Sequence, residues 1–193
     1  MNATAEYGRA ARLMHWGMAL LVFSAILLIE IKSLLPKGQL KHDFMIWHIQ
    51  AGLFVFILIW PRFFWRLANP VPPVVPPLHM AQKLLAALAH IALYALMMAL
   101  PVLGVLALES KGKAVHLLWL QLPSLVDEDT WLPHALSLKN YHELLGNVLI
   151  GLVAFHFAFA VLHHVLRRDD TLKRMLPWLR SRGASSTHHG GRI

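Results

Sequence analysis

Read for where apolar and polar positions fall, the chain resolves into four long stretches with almost no polar interruption, at residues 10–31, 44–66, 83–108 and 140–166. Their continuous apolar cores, 13–29, 44–60, 84–108 and 144–166, contain no Asp, Glu, Lys or Arg. Each is close to the roughly 20 residues that carry an α-helix across a bilayer core. The pattern predicts an all-α fold, an integral membrane four-helix bundle forming one domain over residues 1–193. Glu30, Ile31 and Lys32 follow the first apolar core, 13–29, where a cleaved leader would end in small residues, so that segment is read as a retained helix.

The connections differ sharply from the spans. Residues 67–82 contain NPVPPVVPP over 69–77, a run that cannot be helical and favours polyproline II, so it reads as a stiff strap. The 109–138 loop carries Trp119, Pro123, Pro133 and the acidic trio Asp127, Glu128 and Asp129, and is long enough to cap one face of the bundle. Ser137 and Asn140 are predicted as caps for the fourth helix, with Glu143 placed to complete a capping box. Residues 167–193 form a basic tail that ends in Gly, Ser and His, a composition expected to stay disordered.

Composition agrees with a membrane protein. The chain is 57% hydrophobic and 15% charged, against about 25% charged in soluble domains. The net charge of +8 is unevenly placed. Twelve Lys and Arg fall in the N-tail, the 67–82 side and the C-tail, and six fall on the opposite side. Basic residues stay on the cytoplasmic face, so both termini of this multi-pass chain are expected in the cytoplasm, with the 109–138 loop on the opposite side. Because the charge is spread among segments flanking the spans, nucleic acid is not an expected partner; membrane lipid is. With no cysteine, disulfides, thiolate metal sites, iron–sulfur clusters and covalently attached c-type haem are excluded.

Histidine supplies the remaining chemistry. Ionisable residues at membrane depth are costly and mark sites. His15 and His48 lie near the starts of the first two spans, and His142 and His156 both lie on the fourth. The last two are fourteen residues apart, about 21 Å of helix and about 40° around its axis, so one face presents two ligands at two depths. Given alternating span directions, His48 and His142 share one depth, and His15 and His156 lie nearer the other. Two stacked pairs are what two bis-histidine b-type haems require. The residue four after each is Ala19, Gly52, Gly146 or Ala160, small enough for a flat ring to lie alongside. His90 has Tyr94 there and reads as a polar residue packed between helices. For His163 and His164, at the end of the fourth span, a solvated or dipole-stabilising role weighs at least as much as ligation, and Met97 and Met98 read as packing.

Six stretches then show a resemblance: YGRAARLMHW, IWHIQAGL, NPVPPVVP, HIALYALMMALPVLG, SLKNYHELLGN and HHVLRRDDTLKRMLP. Together they make the chain similar to the bacterial cytochrome b561 family, four-helix diheme membrane proteins, from Tyr7 to about Pro177. The resemblance implies two haem b (iron protoporphyrin IX) groups held by one histidine from each of the first two spans and two from the fourth, which map onto His15, His48, His142 and His156. It also implies electron exchange with quinone or quinol and, for some bacterial members, oxidation of superoxide on the periplasmic side. Arg9 or Arg12 at one end and Lys139 at the other are within reach as partners for haem propionates. The alternatives are a haem anchor subunit of a larger oxidoreductase, with a redox partner protein, and a histidine-based metal or proton transporter, since imidazole also suits zinc, copper and nickel.

Overall fold

The computed structural model describes residues 8–69 and 79–166, without the side chains of residues 163, 164 and 166. Residues 70–78 of the strap, the 167–193 tail and the imidazoles of His163 and His164 lie outside this description.

Four helices carry the fold: α1 (Arg9–Leu34), α2 (Gln39–Ala68), α3 (Met80–Glu109) and α5 (Ala135–Leu166). All four are long and apolar enough to cross a bilayer. Within lipid a helix satisfies every backbone group internally, which is why long apolar runs take this form. Each helix overruns its apolar run at one or both ends. α2 runs through Pro61 and continues for seven residues to Ala68, so Arg62 and Arg66 are helical positions. Proline removes one backbone bond but does not end a helix whose flanks are held by packing.

Helix ends are secured in different ways. His79 and Gln82 form a reciprocal capping box on α3, and Lys32 and Arg66 lie in the last turns of α1 and α2, where cations complement the helix dipole. The caps expected at Ser137 and Asn140 are not formed. Both residues lie inside α5, which begins at Ala135 directly after a 3-10 turn, Leu132–His134, that holds Pro133. The preceding turn already sets the helical direction, and Glu143 instead pairs with Lys139 at 2.8 Å.

α1 packs chiefly along α2, and α3 along α5, with α2 against α3 joining the two halves. The core is a cluster of Met18, Val22, Val55, Ile59, Leu93, Met97, Leu100 and Leu149. Leu149 is seven residues from both His142 and His156, so the core lies midway between the two histidine levels. Outward-facing residues such as Leu20, Phe23, Ile57 and Phe157 are exposed; in a membrane they meet lipid, where apolar surface carries no penalty.

At one end, called here the loop end, the connection after α3 forms a small hairpin, β1 (His116–Leu117) against β2 (Leu120–Gln121), and a one-turn helix α4 (Glu128–Trp131). Asp127 caps α4 by accepting from the Thr130 N–H at 3.1 Å. The buried Glu109 carboxylate accepts from the Leu125 N–H at 2.8 Å and pins the loop onto the end of α3.

Candidate functional site

The four histidines singled out by spacing meet in two facing pairs. The His48 and His142 ring centroids are 6.1 Å apart with planes at 89°, and those of His15 and His156 are 6.5 Å apart at 64°. Each pair joins one half of the bundle to the other.

The pair nearer the loop end, the outer pair, is held by backbone. His48 Nδ1 lies 2.9 Å from the Ala25 carbonyl on α1, and His142 Nδ1 lies 2.9 Å from the Leu100 carbonyl on α3. A carbonyl only accepts, so both Nδ1 atoms carry the proton and both Nε2 atoms keep a lone pair. Metal-binding histidines are oriented by bonds of this kind. Ala25, His48 and Leu100 each lie nine residues in from the loop-end terminus of their helix, at Leu34, Gln39 and Glu109, so the three helices present one level about 13.5 Å inside those ends.

His142 reaches Leu100 because α3 has no side chain at Gly104. A Cβ there would lie 3.0 Å from His142 Cε1 and 3.3 Å from its Nδ1. By contrast, a Cβ on Gly52 or Gly146, the small residues one turn from His48 and His142, would meet nothing within 4 Å. Both face open space beside the imidazoles.

The inner pair has different surroundings. Arg62 Nη2 donates to His15 Nδ1 at 3.1 Å, and a guanidinium has no acceptor, so the neutral His15 ring carries its proton on Nε2. His90 packs edge-on against His156 at 5.4 Å between centroids and donates from Nδ1 to the Ala86 carbonyl on its own helix at 2.6 Å. That bond stays within α3 and does not test the reading of His90 as a polar residue packed between helices, and nothing in the sequence indicated that it borders His156. Arg62 was not anticipated either, because the apolar run stops at Trp60 and only helical continuation through Pro61 brings the guanidinium to His15. Lys139, expected within reach of a haem propionate at the outer pair, makes an ion pair with Glu143 at 2.8 Å.

The donor set fits a macrocycle-bound iron better than a bare ion. Among the described residues no three of His, Cys, Asp or Glu gather as a ligand set, and a pair suits a metal whose in-plane ligands are supplied by its own ring. An imidazole nitrogen sits about 2 Å from a first-row metal and about 1 Å from its ring centre, so two rings on opposite sides of one metal have centroids about 6 Å apart. Both facing pairs meet that separation; His90 with His156 is closer.

Four membrane-crossing helices with imidazole pairs between them define the class of a membrane cytochrome b. The family model of the prokaryotic cytochrome b561 matches residues 6–178. The chain is 32% identical over 165 residues to cytochrome b561 homolog 1 of Escherichia coli (strain K12), covering 85% of this chain and 93% of the relative. It is 33% identical over 163 residues to a probable superoxide oxidase, CybB, of Yersinia pestis, covering 84% and 91%. Cytochrome b561 homolog 2 of Escherichia coli (strain K12) is 29% identical over 192 residues, covering 98% and 97%. The chain belongs to the prokaryotic cytochrome b561 family. It is a bacterial membrane protein of electron transport, with b-type haem as the family's cofactor.

Proposed function

We propose that the protein carries single electrons across the membrane between two b-type haems, one held by His48 and His142 and the other by His15 and His156. The observation that carries this reading is the pair of facing imidazoles at each of two levels, each pair at the separation that opposite-side ligation of one metal requires. When bound, haem would supply one-electron redox chemistry at its iron, with His48 and His142 or His15 and His156 as the residues that would hold it.

The remaining work belongs to the chain. The Ala25 and Leu100 carbonyls fix the outer imidazoles with Nε2 turned to the site and make them more basic. Gly52 and Gly146 leave room for a flat ring beside them. The core around Leu149, Met97 and Ile59 excludes water between the two levels. At the inner pair, Arg62 sits against His15, and its planar guanidinium fork would suit a propionate of a haem held there, beside the Arg9 or Arg12 expected from sequence.

Quinone or quinol is the proposed exchange partner within the membrane, and the likeness to a probable superoxide oxidase supports superoxide as an electron donor at the loop end. The distribution of basic residues supports a periplasmic loop end and cytoplasmic termini. A reduced-minus-oxidised visible spectrum of the purified protein tests the reading. Sharp low-spin b-type bands are expected. A colourless preparation carrying stoichiometric zinc, copper or nickel overturns it in favour of a transporter.

A further inference from the structure

The β1–β2 hairpin has the wrong chemistry for a turn in water. Leu117 pairs with Leu120, so Leu118 and Trp119 form a two-residue turn. Such turns require positive φ and favour Asn-Gly or Gly, yet Leu118 adopts φ 55°. A branched apolar side chain is thereby held in a backbone conformation it rarely takes. The three residues at the tip are turned outward, with Leu118 53%, Trp119 89% and Leu120 59% exposed.

The hairpin is also fixed at a particular depth. Gln50 Nε2 donates to the His116 carbonyl at 2.7 Å, and Gln50 Oε1 accepts from the Leu118 N–H at 2.8 Å. One amide side chain thus completes the backbone bonding of the strand that faces α2, while the Leu122 N–H to Val115 carbonyl bond of 2.9 Å extends the ladder. Gln50 is two residues beyond His48, about 3 Å further from the loop end and about 200° around the helix from the imidazole. Its side chain leans back towards the start of α2, as helical side chains do. The hairpin therefore hangs on the flank of α2 facing away from His48, beside the outer imidazole level. The two levels are about 21 Å apart within a hydrocarbon core about 30 Å thick, so the outer level lies within a few ångströms of the core boundary. At that boundary Trp partitions favourably. Lys111 and Lys113, both exposed, precede the hairpin and supply ammonium groups of the kind that favour an anionic headgroup layer.

We propose that the Leu118–Trp119–Leu120 tip is seated in the bilayer interface at the loop end, an anchor that fixes the depth of α2. The occupant of this surface is lipid, and the inference needs only the membrane fold, not the haem assignment.

The chain has no cysteine, so Trp119→Cys and, separately, Leu120→Cys create single labelling sites, with Ser124→Cys as the loop control. The full-length protein, labelled with an environment-sensitive nitrobenzoxadiazole dye, is placed in nanodiscs of phosphatidylcholine and phosphatidylglycerol. Emission is then quenched by aqueous iodide or by lipids carrying a spin label near the headgroup. The dye at 119 and 120 is expected to lose most of its emission to the lipid-borne quencher and little to iodide, with the reverse at 124. If iodide quenches 119 and 120 as strongly as 124, the tip lies in water. If neither quencher reaches them, the tip rests on protein. Either result overturns the proposal, and the second labelling site keeps the test valid if Trp119→Cys does not fold.

Discussion

Gly104 and His142 are complementary across two helices: α3 omits a side chain where the imidazole passes, and the ring uses that gap to reach the Leu100 carbonyl at 2.9 Å. A Cβ at 104 would come within 3.0 Å of the ring. Alanine at a helical glycine ordinarily stabilises by about 1 kcal/mol, so here helix stability and site geometry move in opposite directions. Gly104→Ala should leave the fold at least as stable while broadening or shifting the spectrum of one haem. Gly104→Leu should expel the imidazole and lose one haem of two. Spectra and thermal unfolding of the same preparations check both, and unchanged spectra in Gly104→Leu would mean that His142 needs no such approach.

The number of facing pairs sets the expected cofactor content. A pyridine haemochrome assay against total protein should approach two haems per chain. A saturated value of one would leave one imidazole pair as helix packing only.

His156 and its neighbours His163 and His164 can be separated by substitution. His163 is 21 residues from His142, about 31.5 Å along the helix, essentially the whole hydrocarbon thickness. His156→Ala should remove the inner haem or turn it high-spin while the His48 and His142 centre stays intact, and His163→Ala should keep both. Electron paramagnetic resonance of the oxidised variants distinguishes these outcomes. The opposite pattern would move the inner centre to the end of α5.

The twelve-to-six division of Lys and Arg predicts cytoplasmic termini. Alkaline phosphatase fused within 109–138 should be active, and a green fluorescent protein fused to the C-terminus should fluoresce. The reverse pair of results would place superoxide chemistry at the other end of the bundle.

The sequence disclosed what the bilayer itself enforces. Long apolar runs admit only helices; His15, His48 and His156 stand out because no acidic or basic side chain shares their runs, and His142, just before the fourth run and next to Glu143, stands out by its spacing from His156. Their pairwise facing was legible from helix direction and the fourteen-residue spacing. Contacts that depend on where one helix lies against another were not. Gly104 looks like any membrane glycine until α5 is beside it, and Arg62 looks terminal until α2 is seen to pass Pro61. Gln50 reads as an isolated polar residue, since its partners are backbone atoms 66 and 68 residues away. The caps assigned to Ser137 and Asn140 failed for a local reason: good capping residues were taken to mark a boundary that the Pro133 turn had already set.

The division of the bundle into an α1–α2 half and an α3–α5 half bears on how the protein is made. Each facing pair takes one ring from the first half and one from the second, His48 with His142 and His15 with His156. During synthesis the first hairpin enters the bilayer with single, unmatched imidazoles at both levels. No two-sided site exists until α5 has been inserted. If these pairs hold haem as proposed, cofactor capture is deferred to the end of translation, and a chain truncated before α5 offers no complete centre.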